Sequence, residues 1–260
     1  MIYELAGAGL DVDGRPVLRE LTFAVQEGDR VVVLGVNGCG KTTLLKALDA
    51  LTFAASGSIR YAGTPLHPVA LDDARFRRRF RGEVGFLFQN VDAMLFNPTV
   101  ADEIAFGPRQ LGQDDVEGRV ARWAGVFELG ALLARAPFEL SGGEKKRVAL
   151  AALLATEPRV LLLDEATANL DPAWAGRLVD LLGDRKGLTV IAATHNLSIA
   201  EELGTRALLL ASGRPGLLFD GPPAALVRNQ GLLVQAGLAH LHRHAHDGAG
   251  HAHFHVHDVE

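Results

Sequence analysis

Residues 31–48 read Val31-Val32-Val33-Leu34-Gly35-Val36-Asn37-Gly38-Cys39-Gly40-Lys41-Thr42-Thr43-Leu44-Leu45-Lys46-Ala47-Leu48. The first four are a continuous apolar, mostly β-branched run, which predicts a strand buried on both faces of a parallel sheet. The last seven have helical spacing. Between them lies a match to the pattern G-x-x-x-x-G-K-[ST]. Gly35, Gly38 and Gly40 let the backbone curl, so that successive N–H groups from Asn37 and Cys39 through Thr43 point inward at phosphate oxygens. The helix starting near Lys41 adds the positive end of its dipole. Lys41 is placed to reach the β- and γ-phosphates as a point charge, and the Thr42 hydroxyl to ligate Mg2+. A glycine-rich turn without a ligand is the plain alternative, and the strand-loop-helix setting argues against it.

Three further apolar runs, Val84 to Phe88, Val160 to Leu163 and Thr189 to Ala193, predict more buried strands. Strands alternating with helical stretches imply a parallel α/β sheet. The run Val160-Leu161-Leu162-Leu163 ends in Asp164-Glu165, at the carboxyl end of a strand, where ligands bind in such sheets. Asp164 is the candidate Mg2+ holder, and Glu165 the candidate general base that polarises an attacking water. Together these motifs say P-loop NTPase, with ATP and Mg2+ as cofactors. Residues 57–63 and the first 27 residues read as short antiparallel strands. Residues 92 to 155 contain helical stretches and no convincing strand.

Leu140-Ser141-Gly142-Gly143-Glu144-Lys145-Lys146-Arg147 opens a helix that continues from Val148 to Leu154. Ser141 can cap it, with Glu144 completing a capping box. Capping does not explain two consecutive glycines, which cost helix stability. A bare helix N-terminus that must approach an anion closely does.

Leu140 to Glu144 resembles the signature motif of ABC ATPases, and the family's other markers follow in order. Gln89 resembles the Q-loop glutamine, Asn169-Leu170-Asp171 the D-loop, and His195 after Thr194 the switch histidine. The resemblance covers about residues 1 to 230. It implies a RecA-like parallel core with an antiparallel β subdomain (1–91 and 156–235), a helical subdomain carrying the signature (92–155), and a His-rich C-terminal tail (236–260). It also implies a head-to-tail homodimer. Ser141, Gly142, Gly143 and Glu144 of one copy would face the γ-phosphate held by Gly38, Gly40 and Lys41 of the other, and Asp171 would cross the interface. Gln89 would join the Mg2+ and water shell, and His195 would contact the γ-phosphate. Where relatives stack adenine on an aromatic ring this chain has Val12, with no aromatic neighbour, so base selectivity is expected to be loose.

Phe88 to Phe96, Thr99 to Pro108, Pro137-Phe138-Glu139 and Lys145 to Ala149 resemble the ATPase component of energy-coupling factor transporters, the cobalt and nickel importers above all. This implies a transmembrane coupling protein and a metal-specific membrane component as partners, at the cytoplasmic face of the cell membrane. Asp92, with Glu103 second, is the candidate to pair with the coupling protein's arginines. A soluble ABC ATPase in a non-transport process, an importer of a different micronutrient and a metal-binding regulator are the alternatives.

The composition fits this reading. The net charge of −5 gives no reason to expect nucleic acid as a partner, and a single cysteine, Cys39, allows no internal disulfide. The start lacks the basic and apolar regions of a signal peptide. No apolar run reaches the roughly 18 residues that span a bilayer. Cys39, near a helix N-terminus, is expected to have a lowered pKa and to react with thiol reagents. Arg75, Arg77, Arg78, Arg79 and Arg81 read as a solvated face. His240, His242, His244 and His246 alternate, as do His251, His253, His255 and His257. In an extended chain each group lies on one face, and imidazole suits Co2+ and Ni2+.

Overall fold

The structure, a computed structural model, describes residues 1–246 and 249–256, with side chains through residue 239. The chain opens with strands β1 (Tyr3–Val12), β2 (Arg15–Val25) and β3 (Arg30–Leu34), helix α1 (Lys41–Leu48), and strands β4 (Ser56–Tyr61) and β5 (Thr64–Pro65). It continues through α2 (Pro68–Asp72), α3 (Ala74–Glu83), β6 (Val84–Leu87), α4 (Val100–Leu111), α5 (Val116–Val126), α6 (Gly142–Ala155), β7 (Val160–Asp164) and α7 (Pro172–Gly183). The last part holds β8 (Thr189–Thr194), α8 (Ala200–Leu203), β9 (Arg206–Leu209), β10 (Phe219–Gly221), α9 (Pro223–Val227), α10 (Gln230–Gln235), β11 (Ala239–His246) and β12 (Ala249–Val256). Residues 1–68 with 190–260 form one compact unit, and residues 69–189 another. No helix among the described residues is long and apolar enough to cross a membrane.

In the first unit, β3 lies between β9 and β8 and runs parallel to both. Val31 to Leu34 are all fully buried, as expected for an inner parallel strand. Each such side chain contributes about 1.5–3 kcal/mol relative to exposure. An antiparallel sheet in the order β2-β1-β4-β5 completes this unit. Its strands alternate, with Tyr3, Leu5, Leu10, Leu18, Leu21, Ile59 and Tyr61 buried. Tyr3 and Tyr61 pack with ring centroids 5.2 Å apart. The Tyr3 hydroxyl donates to the Leu48 carbonyl at 2.9 Å, tying the carboxyl end of α1 to this sheet.

In the second unit β6 and β7 pair in parallel. Every described element between Val91 and Ala155 is helical. Helix α4 starts at Thr99, whose hydroxyl accepts from the Asp102 N–H, and stops at Gly112 in the left-handed region. Trp123, Phe127 and Leu129 are buried, with the first two rings stacked 6.1 Å apart. The arginine-rich stretch forms α3, capped by Asp73; Phe80 is buried, and Arg75, Arg77, Arg78, Arg79 and Arg81 are exposed.

The histidine-rich segment, read from its composition as a tail, forms the antiparallel pair β11-β12 in its described residues. The register sets His240, His242 and His244 opposite His255, His253 and His251, which a linear reading of the composition does not reveal.

Candidate nucleotide site

The phosphate loop fills the turn from β3 to α1. Gly40 is the N-cap of α1 at φ 106°, where no side chain supplies a cap hydrogen bond. A Cβ there would lie 2.8 Å from Leu18 Cγ, so both conformation and space require glycine. No acid occupies the first turn of α1, which leaves its N-terminus suited to an anion. Lys41 is 6 % exposed, and its ammonium donates to the carbonyls of Gly35 at 2.6 Å and Val36 at 3.2 Å. Thr42 and Thr43 follow in the first helical turn and are half-buried. In the register of β3 with β8, Leu34 pairs with Thr194. The phosphate loop and His195 therefore leave adjacent parallel strands at one level, both at carboxyl ends, where such sheets bind ligands. The Thr194 hydroxyl accepts from the Asn196 N–H at 3.1 Å, which turns the chain just past His195.

One expectation for this unit changes. Cys39 is 1 % exposed, and burial pushes its thiol pKa up; the opposing pull of Lys41 is the smaller influence. The expected lowering took the helix terminus into account but not the desolvation. Val12 ends β1 with its side chain exposed, and Tyr3 is fully buried, so neither the expected position nor the nearest tyrosine upstream supplies a stacking ring.

In the second unit Leu87 pairs with Leu163, so Gln89 and the Asp164-Glu165 pair likewise leave neighbouring parallel strands at one level. Gln89 is exposed, whereas Asp164 is 2 % and Glu165 6 % exposed. Glu165 has φ 51° and Asn169 φ 64°, both left-handed and both without the glycine that makes this conformation cheap. Lys146, 2 % exposed, holds the segment between them. Its ammonium donates to the carbonyls of Glu165 at 2.8 Å and Ala168 at 2.5 Å. Burial lowers the Lys146 pKa to about 8, against the opposite pull of Glu165 and Asp164. Sequence reasoning missed this residue, because a lysine between Lys145 and Arg147 reads as part of a solvated face. The available signal was its place two residues before the buried run from Val148.

The signature helix begins as its pattern predicts. The Ser141 hydroxyl accepts from the Glu144 N–H, and the Glu144 carboxylate accepts from the Ser141 N–H at 2.8 Å and the Ser141 hydroxyl at 2.7 Å. The latter bonds hold the Glu144 carboxyl below its ordinary pKa. Asp171 caps α7 by accepting from the Trp174 N–H. Ser141, Gly143, Glu144 and Asp171 line one cavity of about 190 Å³ with Arg147, Leu170 and Trp174. The fold thus brings the signature and the Asp171 loop together. Arg147 lies 4.6 Å over the Trp174 ring.

The short helical turn Val91–Met94 carries Asp92, which pairs with Lys145 at 2.7 Å and stays 66 % exposed. Glu103 is 4 % exposed and accepts from the N–H groups of Phe96 and Asn97, so its carboxylate is used inside the fold. Thr42 in the first unit offers a hydroxyl oxygen, and Gln89 and Asp164 in the second offer an amide and a carboxylate oxygen, each a donor type that Mg2+ takes. No group of three or more His, Cys, Asp or Glu among the described residues could hold a metal ion.

Comparison with known proteins agrees with this chemistry. Residues 18–168 match the family model described as "ABC transporter". The chain is 42 % identical to the nickel import ATP-binding protein NikO of Rhodobacter capsulatus, over 91 % of this chain and 95 % of that one. It is 38 % identical to the energy-coupling factor transporter ATP-binding protein EcfA of Methanothermobacter thermautotrophicus, over 87 % of this chain and 72 % of that one. Among solved structures, a Clostridium perfringens component of the ABC transporter complex cbiONQ aligns with a TM-score of 0.74 and 27 % identity, covering 91 % of this chain and 94 % of that one. The chain therefore belongs to the ABC transporter family, as an ATP-hydrolysing subunit whose ATPase activity is coupled to transport.

Proposed function

We propose that this chain is the ATPase of an energy-coupling factor transporter that imports nickel or cobalt ions, working as a homodimer at the cytoplasmic face of the cell membrane. The observation that carries the reading is the 42 % identity to a nickel import ATP-binding protein over nearly the whole of both chains. The exposed Asp92 supports it, with the aromatic pair Phe96 and Phe106 nearby in the chain, 4.9 Å apart and both partly in solvent. An exposed acid followed in the chain by exposed aromatic rings suits a basic, amphipathic partner segment, and in this reading that segment belongs to the transmembrane coupling protein.

In this reading Gly35 to Thr43 of one copy bind ATP, and Ser141 to Glu144 of the second copy close on its γ-phosphate, with Asp171 at the interface. Mg2+, held by Thr42, Asp164 and the Gln89 shell, supplies charge neutralisation on the phosphates. Glu165 orients and polarises the attacking water, and His195 steadies the γ-phosphate. ATP closes the dimer and hydrolysis reopens it, which passes the change to the membrane subunits.

The test is purification from membranes with identification of bound partners, followed by Ni2+ and Co2+ uptake with wild type and Glu165→Gln. Co-purification with membrane subunits and uptake lost in the variant support the reading. A chain found without membrane partners sinks it in favour of a soluble ABC ATPase. ATP-driven uptake of another solute identifies an importer of a different micronutrient.

A further inference from the structure

Four cations gather at the amino end of β7. Arg122, Arg159, Arg185 and Lys186 line a cavity of about 570 Å³ together with two acids, Glu157 and Asp184. All six residues lie in the second unit. The Asp164-Glu165 pair stands at the other end of β7, about 16 Å away at a rise of about 3.3 Å per residue. The cavity is therefore not part of the nucleotide site.

The carboxyl ends of α6 and α7 also reach this cavity, and helix carboxyl ends attract cations. That accounts for the nearby Arg119, whose guanidinium donates to the Ala155 carbonyl at 2.9 Å. It does not account for Arg185. Its Cζ lies 4.3 Å from the centre of the buried Trp123 ring, and the Arg122 Cζ lies 5.6 Å from the same ring. The Arg185 Nε is buried and has no hydrogen-bond partner among the described residues. The indole Nε1 of Trp123 is buried without one as well. Buried donors of this kind are costly, so the neighbourhood is short of acceptors. Glu157 does not make up the shortage. One of its oxygens meets Arg119 at 3.1 Å and the other meets Arg122 at 3.4 Å. Arg159 is paired with Glu83 at 3.3 Å. Burial pushes the Arg185 pKa down, and the like charge of Arg122 adds to the effect. An anion in the cavity offsets both costs.

A guanidinium presents a planar fork of donors that matches phosphate oxygens, and an aromatic ring against it fixes the fork in place. The volume falls within the range of about 300–1,000 Å³ usual for small-molecule sites, which leaves room for a phosphate group with an organic body. We propose that this cavity is a second anion site, which binds a phosphate monoester through the Arg185 fork, with Arg122, Arg159 and Lys186 supplying the surrounding positive charge. The phosphate can be free, on a small soluble molecule, or carried by a lipid headgroup. The site does not rest on the cargo reading above.

The test uses the full chain with Mg2+ and a non-hydrolysable ATP analogue filling the nucleotide site. The chain has two tryptophans, so Trp174→Phe leaves Trp123 alone to report on the cavity by its emission. Glycerol 3-phosphate is titrated in this background. Flotation with phosphatidylcholine vesicles, with and without phosphatidic acid, tests the lipid source. A saturable change in Trp123 emission supports the site with a soluble ligand, and flotation that requires phosphatidic acid supports it with a lipid. Arg185→Met is expected to weaken binding of the responding probe about tenfold or more. Arg185→Lys, which keeps the charge without the fork, is expected to weaken it less. Lys186→Glu changes an exposed side chain, and is expected to weaken binding with the melt unchanged. Response to neither probe overturns the site, as does binding that a folded Arg185→Met leaves unchanged. Should Arg185→Met not fold, unchanged binding in Lys186→Glu overturns it.

Discussion

Replacing Lys146 with methionine keeps the aliphatic stem of the side chain and removes its ammonium. Two charge-assisted hydrogen bonds, to the carbonyls of Glu165 and Ala168, go with it. Bonds of this kind contribute about 1.5–3 kcal/mol each, so about 3–6 kcal/mol together. Against this stands the cost of the buried charge. Lowering of the pKa from 10.5 to about 8 corresponds to about 3 kcal/mol at 1.36 kcal/mol per tenfold. The two effects largely offset, and the expected loss of global stability is at most about 3 kcal/mol. Catalysis has no such offset. Glu165 at φ 51° and Asn169 at φ 64° sit in conformations that persist only where the surroundings hold them, and Lys146 is what grips the chain between them. Loss of that grip frees the backbone that aims the Glu165 carboxylate, and a displacement of about 1 Å costs about 100-fold in rate. The assay is steady-state ATP hydrolysis with a thermal melt. The variant is expected to melt within about 10 °C of wild type, with kcat down about 10- to 100-fold and KM for ATP within about threefold. A kcat within twofold of wild type, or a loss carried by KM instead, would show that Lys146 does not position Glu165.

Asp92→Arg breaks an exposed ion pair worth at most about 1 kcal/mol, so the melt should hardly move while co-purification with membrane subunits is lost; intact assembly would remove Asp92 from the docking surface. Native Cys39 should react with iodoacetamide at least tenfold more slowly than a free thiol, and speed up only at alkaline pH, because burial keeps it protonated above the ordinary thiol value; rapid labelling at neutral pH counts against this. Val12→Tyr should raise the preference for ATP over GTP severalfold by supplying a stacking face, measured by competition binding; an unchanged ratio means that base selection lies elsewhere. Glu144 has a lowered pKa, so its capping bonds hold at neutral pH and weaken as pH falls through its folded value, below the ordinary glutamate pKa of about 4.3. Glu144→Gln should therefore flatten the acid limb of the stability curve, and an unchanged limb would assign acid unfolding to other carboxylates.

Residues with local reasons for their conformation were readable in advance. Val31 to Leu34, Val84 to Leu87, Val160 to Leu163 and Thr189 to Ala193 lie in strands because continuous apolar runs have no other stable place. Ser141 and Glu144 form their capping box because both partners lie within one helical turn. What stayed hidden depends on residues distant in the chain. Lys146 looks like one more surface cation until Glu165 and Ala168, about 20 residues on, are folded over it. Glu103 looks as available as Asp92 until the N–H groups of Phe96 and Asn97 close on it. The fate of Cys39 turned on burial, which its position near a helix terminus did not reveal. The histidine pairing needed the register of two strands, and alternation within each fixes only a face.

Metal uptake into vesicles that carry the chain with its membrane subunits is the closest test of the proposed function. With ATP inside, wild type should accumulate Ni2+ or Co2+. Glu165→Gln should bind ATP with unchanged affinity, hydrolyse it at least 100-fold more slowly and accumulate neither ion. Uptake that persists in Glu165→Gln, or wild-type vesicles that hydrolyse ATP and move neither metal, would contradict the proposal.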